Sequence, residues 1–185
     1  MLIKLTGTST HSADPSDDPM GLLLACHGRI RQHLDLAQRL VDVAEPSAQD
    51  VSDSCSSLVR YFGRALPLHI RDEDELLIDM LRGRSIPPSL TEALSVMCAE
   101  HAVIDPAIES AIQLWRRLRD EPLLLSNLRD ELMPQTLLVS TLLRAHLDRE
   151  EREVFPAVSL LLSDEERKEL TQRMRQRRQA MGDPR

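Results

Sequence analysis

Four long stretches of this 185-residue chain carry apolar side chains at alternating steps of three and four, the spacing that lines one face of an α-helix. The first, residues 19–44, is striped by Leu23, His27, Ile30, Leu34, Ala37 and Val41. The second, 47–81, aligns Leu58, Phe62, Ala65, His69, Glu73, Leu76 and Met80. The third starts near Ser89 and carries Leu90, Leu94, Met97, His101, Ile104, Ile108, Ala111 and Trp115. The fourth, 122–162, carries Val139, Leu142, His146, Glu150, Val154, Ala157 and Leu161. Strands favour aromatic and β-branched residues, and only 2% of this chain is aromatic, so the stripes read as helices. Four long helices with short connections pack most simply as an antiparallel up-down bundle. The predicted fold is therefore all-α, with kinked helices and a short C-terminal helix.

Punctuation sets the boundaries. Residues 1–17 are polar and without period, and read as a flexible N-terminal segment. Asp18-Pro19 supplies an N-cap and a first-turn proline, opening a domain that runs over 18–162. Pro46 ends the first helix, and residues 83–88 turn into the third, where Ser89 and Glu92 have capping-box spacing. Pro67 predicts a kink or break in the second helix, Pro106 a bend in the third, and Pro134 and Pro156 irregularities in the fourth. Residues 163–185 form a C-terminal helix and tail, capped by Ser163 and Glu166. Their basic residues, Lys168, Arg173, Arg175, Arg177 and Arg178, read as a solvated helix end.

Composition narrows the function classes. A net charge of −7 argues against nucleic acid as a partner. No apolar run approaches the roughly 20 residues that cross a bilayer, and the N-terminus lacks an apolar run of signal-peptide length. Cys26, Cys55 and Cys98 form no CxxC pair, and an odd number suits no disulfide framework, so a reducing cytoplasm is the expected location.

The anomaly is polar. His27, His69, His101 and His146 sit one per helix on faces that should be buried, and Glu73 and Glu150 follow two of them at i+4 on the same face. Each half of the chain is a helix with one His followed by a helix with HxxxE, so LPLHIRDEDELLIDML and LRAHLDREEREVFPAV align as a repeated αα unit. A buried carboxylate without a partner costs several kcal/mol, roughly, and two such groups repel. Six polar groups in one core layer call for cations. Imidazole with carboxylate suits Fe, Zn, Mn or Co rather than Ca or Mg. Four nitrogens and two bridging carboxylates supply about eight bonds, enough for two ions that retain open positions.

H…HxxxE…H…HxxxE, together with CHGRI, LHIRDEDELL, AEHAVID and HLDREEREVFP, resembles the hemerythrin-like HHE cation-binding domains over about residues 19–162. The resemblance implies a non-heme di-iron centre with carboxylate and oxygen bridges that binds dioxygen, peroxide or nitric oxide. Its implied ligands are His27, His69, Glu73, His101, His146 and Glu150, the glutamates bridging; Zn or Mn are the other candidate metals. Oxygen-carrying hemerythrins place two histidines four apart in the third helix, where this chain has His101 and Asp105. Asp105 is an additional ligand, an acceptor that orients an imidazole, or simply the polar residue before Pro106. The fourth helix has HxxxE in place of the carriers' longer His-to-Asp spacing, so the chain looks closer to the bacterial HHE branch.

Other residues are set apart. His33, six positions after His27, points away from the site, and His11 lies in the lead-in. Cys26 faces elsewhere, and Cys98 reads as a small buried hydrophobe. Phe62 walls the cavity. Asp72, Glu75, Glu151 and Glu153 read as solvated groups or as supports behind the ligands. An alternative function is an iron- or oxygen-responsive regulatory module acting through metal-dependent bundle stability. Redox enzymology stays open, with no substrate site evident, and a homodimer is compatible with the pattern.

Overall fold

In the computed structural model of the protein, residues 18–180 are described, and all regular structure among them is helical. The expected flexible lead-in, with His11, lies outside the described residues, as does the tail beyond residue 180. Helix α1 (Pro19–Asp42) opens as the sequence predicts: the Asp18 carboxylate accepts the Gly21 N–H at 3.0 Å. Helix α2 spans residues 48–81 behind an N-cap at Ser47, whose hydroxyl accepts the Asp50 N–H at 3.1 Å. It stops at Gly83, whose φ of 75° lies in the left-handed region that glycine adopts without strain. Helix α3 (Pro88–Asp120) begins one residue before Ser89. The expected Ser89–Glu92 capping box therefore does not form. Pro88 needs no N–H partner at the first helical position, and starting there leaves Ser89 inside the first turn. A 3₁₀ turn, Pro122–Leu124, leads into α4, residues 125–161. Helix α5 (Asp164–Ala180) comes last, and its capping box is present: Ser163 N–H donates to Glu166 Oε2 at 2.8 Å and Glu166 N–H to Ser163 Oγ at 3.3 Å.

Neighbours in the bundle run α1–α2, α2–α3, α3–α4 and α4–α1, closing a ring of four helices. The core inside it comes in two apolar blocks. One holds Ile30, Leu34, Leu58, Phe62, Trp115, Leu132 and Leu143; the other holds Leu23, Leu77, Met97, Val154, Val158, Leu170 and Met174. Along every long helix the site histidine falls between the two blocks, so a polar layer interrupts the core at one level.

None of the internal prolines breaks a helix. Pro106 and Pro134 lie within uninterrupted α-helical segments. Pro67 and Pro156 each come two residues after a π-helical turn, Tyr61–Ala65 and Glu150–Val154. Leu66 N–H bonds to Tyr61 O and Phe155 N–H to Glu150 O, five residues back, so the ladder is already widened where the ring arrives. A third π turn, Asp72–Leu77, has Ile78 N–H bonded to Glu73 O. Each wide turn inserts a residue into its helix. Leu66, Leu81, Val158 and Leu162 are buried where the simple period predicts Ala65, Met80, Ala157 and Leu161.

Helix α5 is not a solvated end. Leu170 and Met174 are fully buried in the second apolar block, and the basic residues pair inward. Arg173 meets Asp79 at 3.1 Å, Arg177 meets Glu75 at 2.8 Å, and Arg178 meets Asp72 at 2.8 Å. Arg167 reaches Asp18 at 3.2 Å, and Arg84 of the α2–α3 turn pairs with Glu166.

Candidate metal centre

Helical spacing delivers the donors. His69 and Glu73 are one turn apart on α2, as are His146 and Glu150 on α4, and α1 and α3 add His27 and His101. All six side chains are buried. They form two overlapping groups whose donor atoms lie within 4.8 Å of one another: His27, His69, Glu73 and Glu150, and Glu73, His101, His146 and Glu150. Both glutamates belong to both groups, with one oxygen on each side. Glu73 Oε1 lies 3.3 Å from His69 Nε2, while Oε2 lies 3.5 Å from His101 Nε2. Glu150 Oε2 lies 3.2 Å from His27 Nε2, while Oε1 lies 3.2 Å from His146 Nε2. Such a split would let both carboxylates serve two cations at once.

The polar atoms fit such cations and little else. All four glutamate oxygens, with Nε2 of His27 and His69, are buried and lack hydrogen-bonding geometry to any partner. His101 Nε2 and His146 Nε2 approach to 3.0 Å. Leaving this many buried groups unsatisfied is costly unless a positive charge sits among them. Without a metal, protons supply that charge. Burial opposes protonation of His27, but Glu150 and Glu73 outweigh it and raise the imidazole to about 10. His101 likewise rises to about 10 against burial, through Asp74 and Glu73. His146 is raised by Glu150 and Glu100, and Glu150 is lowered by His146 and His27, again against burial.

Behind three of the four imidazoles lies a set of acceptors that turn Nε2 inward. His27 Nδ1 bonds Glu151 Oε1 at 2.8 Å, and Arg31 holds that carboxylate at 2.7 Å. His101 Nδ1 bonds Asp74 Oδ1 at 2.9 Å, and the Cys98 thiol donates to the same oxygen at 3.5 Å. His146 Nδ1 bonds Glu100 Oε2 at 2.9 Å, and Arg149 donates to Glu100 Oε1 at 3.0 Å. Asp74 and Glu100 escaped the sequence reading. Asp74 looks like surface acid in a charged run, although the residue after Glu73 repeats as the residue after Glu150, while Glu100 is a single acid beside His101 with no such signal. Cys98 also differs from expectation: it is half-buried and touches an acceptor carboxylate.

Asp105 is exposed and belongs to neither group. The buried line on α3 steps from His101 to Ile104 and Ile108, leaving Asp105 on the flank, so the added-ligand and orienting-acceptor expectations are corrected to a surface residue. His33 lies outside both groups, as expected; it stacks on Tyr61 with centroids 3.7 Å apart. Asp72, by contrast, is wholly buried, and burial raises its carboxyl to about 6 against the pull of Arg178 and Arg177. Cys26 is buried, and its sulfur accepts from Arg29 at 2.9 Å and from Arg178 at 3.5 Å. Burial pushes the thiol up, yet His69, Arg178 and Arg29 together bring it down to about 7.

Among the described residues, no helix is long and apolar enough to cross a membrane. A family model described as the hemerythrin HHE cation binding domain matches residues 18–158. No curated protein and no solved structure matches the chain.

Proposed function

The chain belongs to the hemerythrin HHE cation-binding domain family, and from that premise we propose that it is a non-heme di-iron protein binding dioxygen, peroxide or nitric oxide at an open iron position. His27 and His69 would hold one ion and His101 and His146 the other, with Glu73 and Glu150 shared between them. The observation that carries this reading is the split of each glutamate, one oxygen toward each histidine pair. Imidazole–carboxylate sets of this kind suit iron, with zinc and manganese as competitors. The donors number about eight against about twelve for two six-coordinate ions, which leaves positions for an exogenous ligand. When bound, the iron pair supplies redox and ligand-binding chemistry. The chain's own part is to orient the imidazoles through Glu151, Asp74 and Glu100 and to exclude water with the apolar blocks on either side.

The test is anaerobic loading with Fe(II), an iron count, then exposure to air, peroxide or nitric oxide under an absorption spectrometer. Two irons per chain and a spectrum that changes with at least one ligand are expected. Two irons with a spectrum inert to all three would sink the small-molecule reading and leave a cation-binding bundle.

A second reading, an iron-responsive module, draws on the contacts of α5. Arg177 and Arg178 hold Asp72, the residue next to Glu73, so occupancy at Glu73 is coupled to docking of α5. Limited proteolysis with and without metal separates the readings: release of α5 on metal removal favours the module.

A further inference from the structure

The acceptors behind the imidazoles form a two-fold pattern that reaches one residue not yet placed in it. The acid after each bridging glutamate crosses to the single-histidine helix of the other half: Asp74 to His101 and Glu151 to His27. In the α3–α4 half, the residue preceding His101, Glu100, accepts from His146. The residue preceding His27 in the α1–α2 half is Cys26, and the imidazole it should serve is His69. His69 is 2% exposed, its Nε2 faces Glu73, and its buried Nδ1 has no hydrogen-bond partner. The Cys26 thiol, at the position that corresponds to Glu100, lies close enough to His69 for the imidazole to lower its pKa.

We infer that Cys26 is the positioning residue for His69, its sulfur taking the Nδ1–H as Glu100 takes that of His146. The inference rests on reading His69 as a metal ligand.

The surroundings of the sulfur are those of an acceptor. Arg29 Nη2 donates to Sγ at 2.9 Å and Arg178 Nη2 at 3.5 Å. Sulfur is a weak acceptor, and the guanidinium donors make charge-assisted hydrogen bonds to it. The exchange of Glu for Cys is matched three residues after the histidine. His146 is followed at that position by Arg149, which holds Glu100. His69 is followed there by Asp72, beside which a glutamate at position 26 would be repelled. Arg178, reaching in from α5, binds both Asp72 and the sulfur, and so stands where Arg149 stands in the other half.

Cobalt(II) titration of the metal-free full chain, monitored by absorption, tests this beside the ¹⁵N NMR signal of His69 Nδ1 in metal-free and zinc-loaded protein. Cys26→Ala should weaken one of two cobalt steps about tenfold or more. Cys55→Ala, which removes another buried thiol, should weaken neither. The double variant Cys26→Glu/Asp72→Arg, which copies the Glu100–Arg149 pair, should restore the step. The His69 Nδ1 signal should be that of a protonated, hydrogen-bonded nitrogen and should move in Cys26→Ala, which a packing role would not produce. A signal unmoved by Cys26→Ala, or a lost cobalt step that the double variant does not recover, overturns the inference. Wild-type protein taking up only one cobalt would instead overturn the dinuclear reading, and the signal in metal-free protein would still decide the role of Cys26.

Discussion

In the α3–α4 half, the support behind His146 is built from within the bundle: Glu100 on α3 accepts from the imidazole, and Arg149 on α4 holds Glu100. In the α1–α2 half the corresponding positions carry Cys26 and Asp72, and the cation between them comes from Arg178 on α5. Both halves present the same donors, His and HxxxE, and both place a π turn whose wide hydrogen bond is accepted by the bridging glutamate's own carbonyl. Donor geometry is thus duplicated while its support is not. The α3–α4 half stands on its own two helices, and the α1–α2 half depends on a fifth. A di-metal pair would tie the two together through Glu73 and Glu150, and asymmetric support would then be a handle on one ion at a time.

The largest expected effect erases the comparison altogether. Glu73→Ala or Glu150→Ala removes an oxygen from each cation position at once, and each should drop the metal content from two ions per chain to one or fewer, by elemental analysis. Equal loss in the two variants is expected, because each carboxylate has the same split between halves. A variant that kept one full ion in a chosen half while the other kept none would mean that one glutamate is terminal, not bridging.

Metal removal sharpens the comparison by exposing what protons do in its place. His27 and His101 are raised from 6.5 to about 10 in the metal-free fold. A raised imidazole contributes stability that is fully present below the unfolded value of 6.5 and is lost as pH climbs through the folded value near 10. The metal-free protein should therefore lose urea resistance progressively between pH 6.5 and 10, one histidine from each half contributing. Metal-loaded protein should change far less over the same range, because ligated imidazoles hold no proton on the bound nitrogen. Apparent metal affinity should rise with pH over this window as the competing protons leave. A flat urea midpoint for the metal-free chain would mean that the buried glutamates are neutralised otherwise.

Smaller, and confined to one half, is the effect of unpinning α5. Arg178→Ala leaves the wholly buried Asp72 with only Arg177, at 3.6 Å. Leaving a buried charge short of its partner costs about 3 kcal/mol in the general case. Arg177 and relaxation reduce that here, so about 1–2 kcal/mol is expected from urea unfolding. Protease sensitivity should rise at the C-terminus, and metal should be lost from the α1–α2 position before the α3–α4 position. Glu100→Ala is the mirror experiment: it should weaken one ion about tenfold or more and leave α5 docked. If both variants weakened the same cobalt step, the halves would not be separable by their supports.

Much of this was legible in the sequence, and the rest was hidden for definable reasons. Period and caps gave the four helices, and the duplicated His/HxxxE pattern gave the residues that converge. The period slips after the π turn of α4, where burial falls on Val158 and Leu162 in place of Ala157 and Leu161, while His69, Glu73 and Leu76 stay on the expected face after the first π turn of α2. No propensity marks such a turn, although a glutamate ligand with a proline soon after it does so in α4. The acceptors were misjudged because an acid beside a ligand looks like the solvated acids around it; Asp74 and Glu100 orient imidazoles, and Asp105 does not. Helix α5 was misread because its charges were counted and its partners, Asp72, Glu75 and Asp79, lie about a hundred residues away.

The smallest expected effect comes from the one remaining histidine of the bundle. His33 sits on α1 six residues past His27, outside both donor groups. Its Nδ1 bonds the Arg29 carbonyl at 2.8 Å, and its ring stacks on Tyr61 at 3.7 Å with 9° between the planes. Burial and the nearby Arg60 and Arg29 lower its affinity for a proton, opposite to His27, His101 and His146, whose neighbouring carboxylates raise theirs. His33→Ala should cost about 0.5–1.5 kcal/mol of stability through the lost stack. It should leave two metal ions per chain and both cobalt steps intact. A fall in metal content in this variant would mean that the boundary of the centre extends along α1 past Ile30, and that the α1–α2 half recruits a donor with no counterpart on α3.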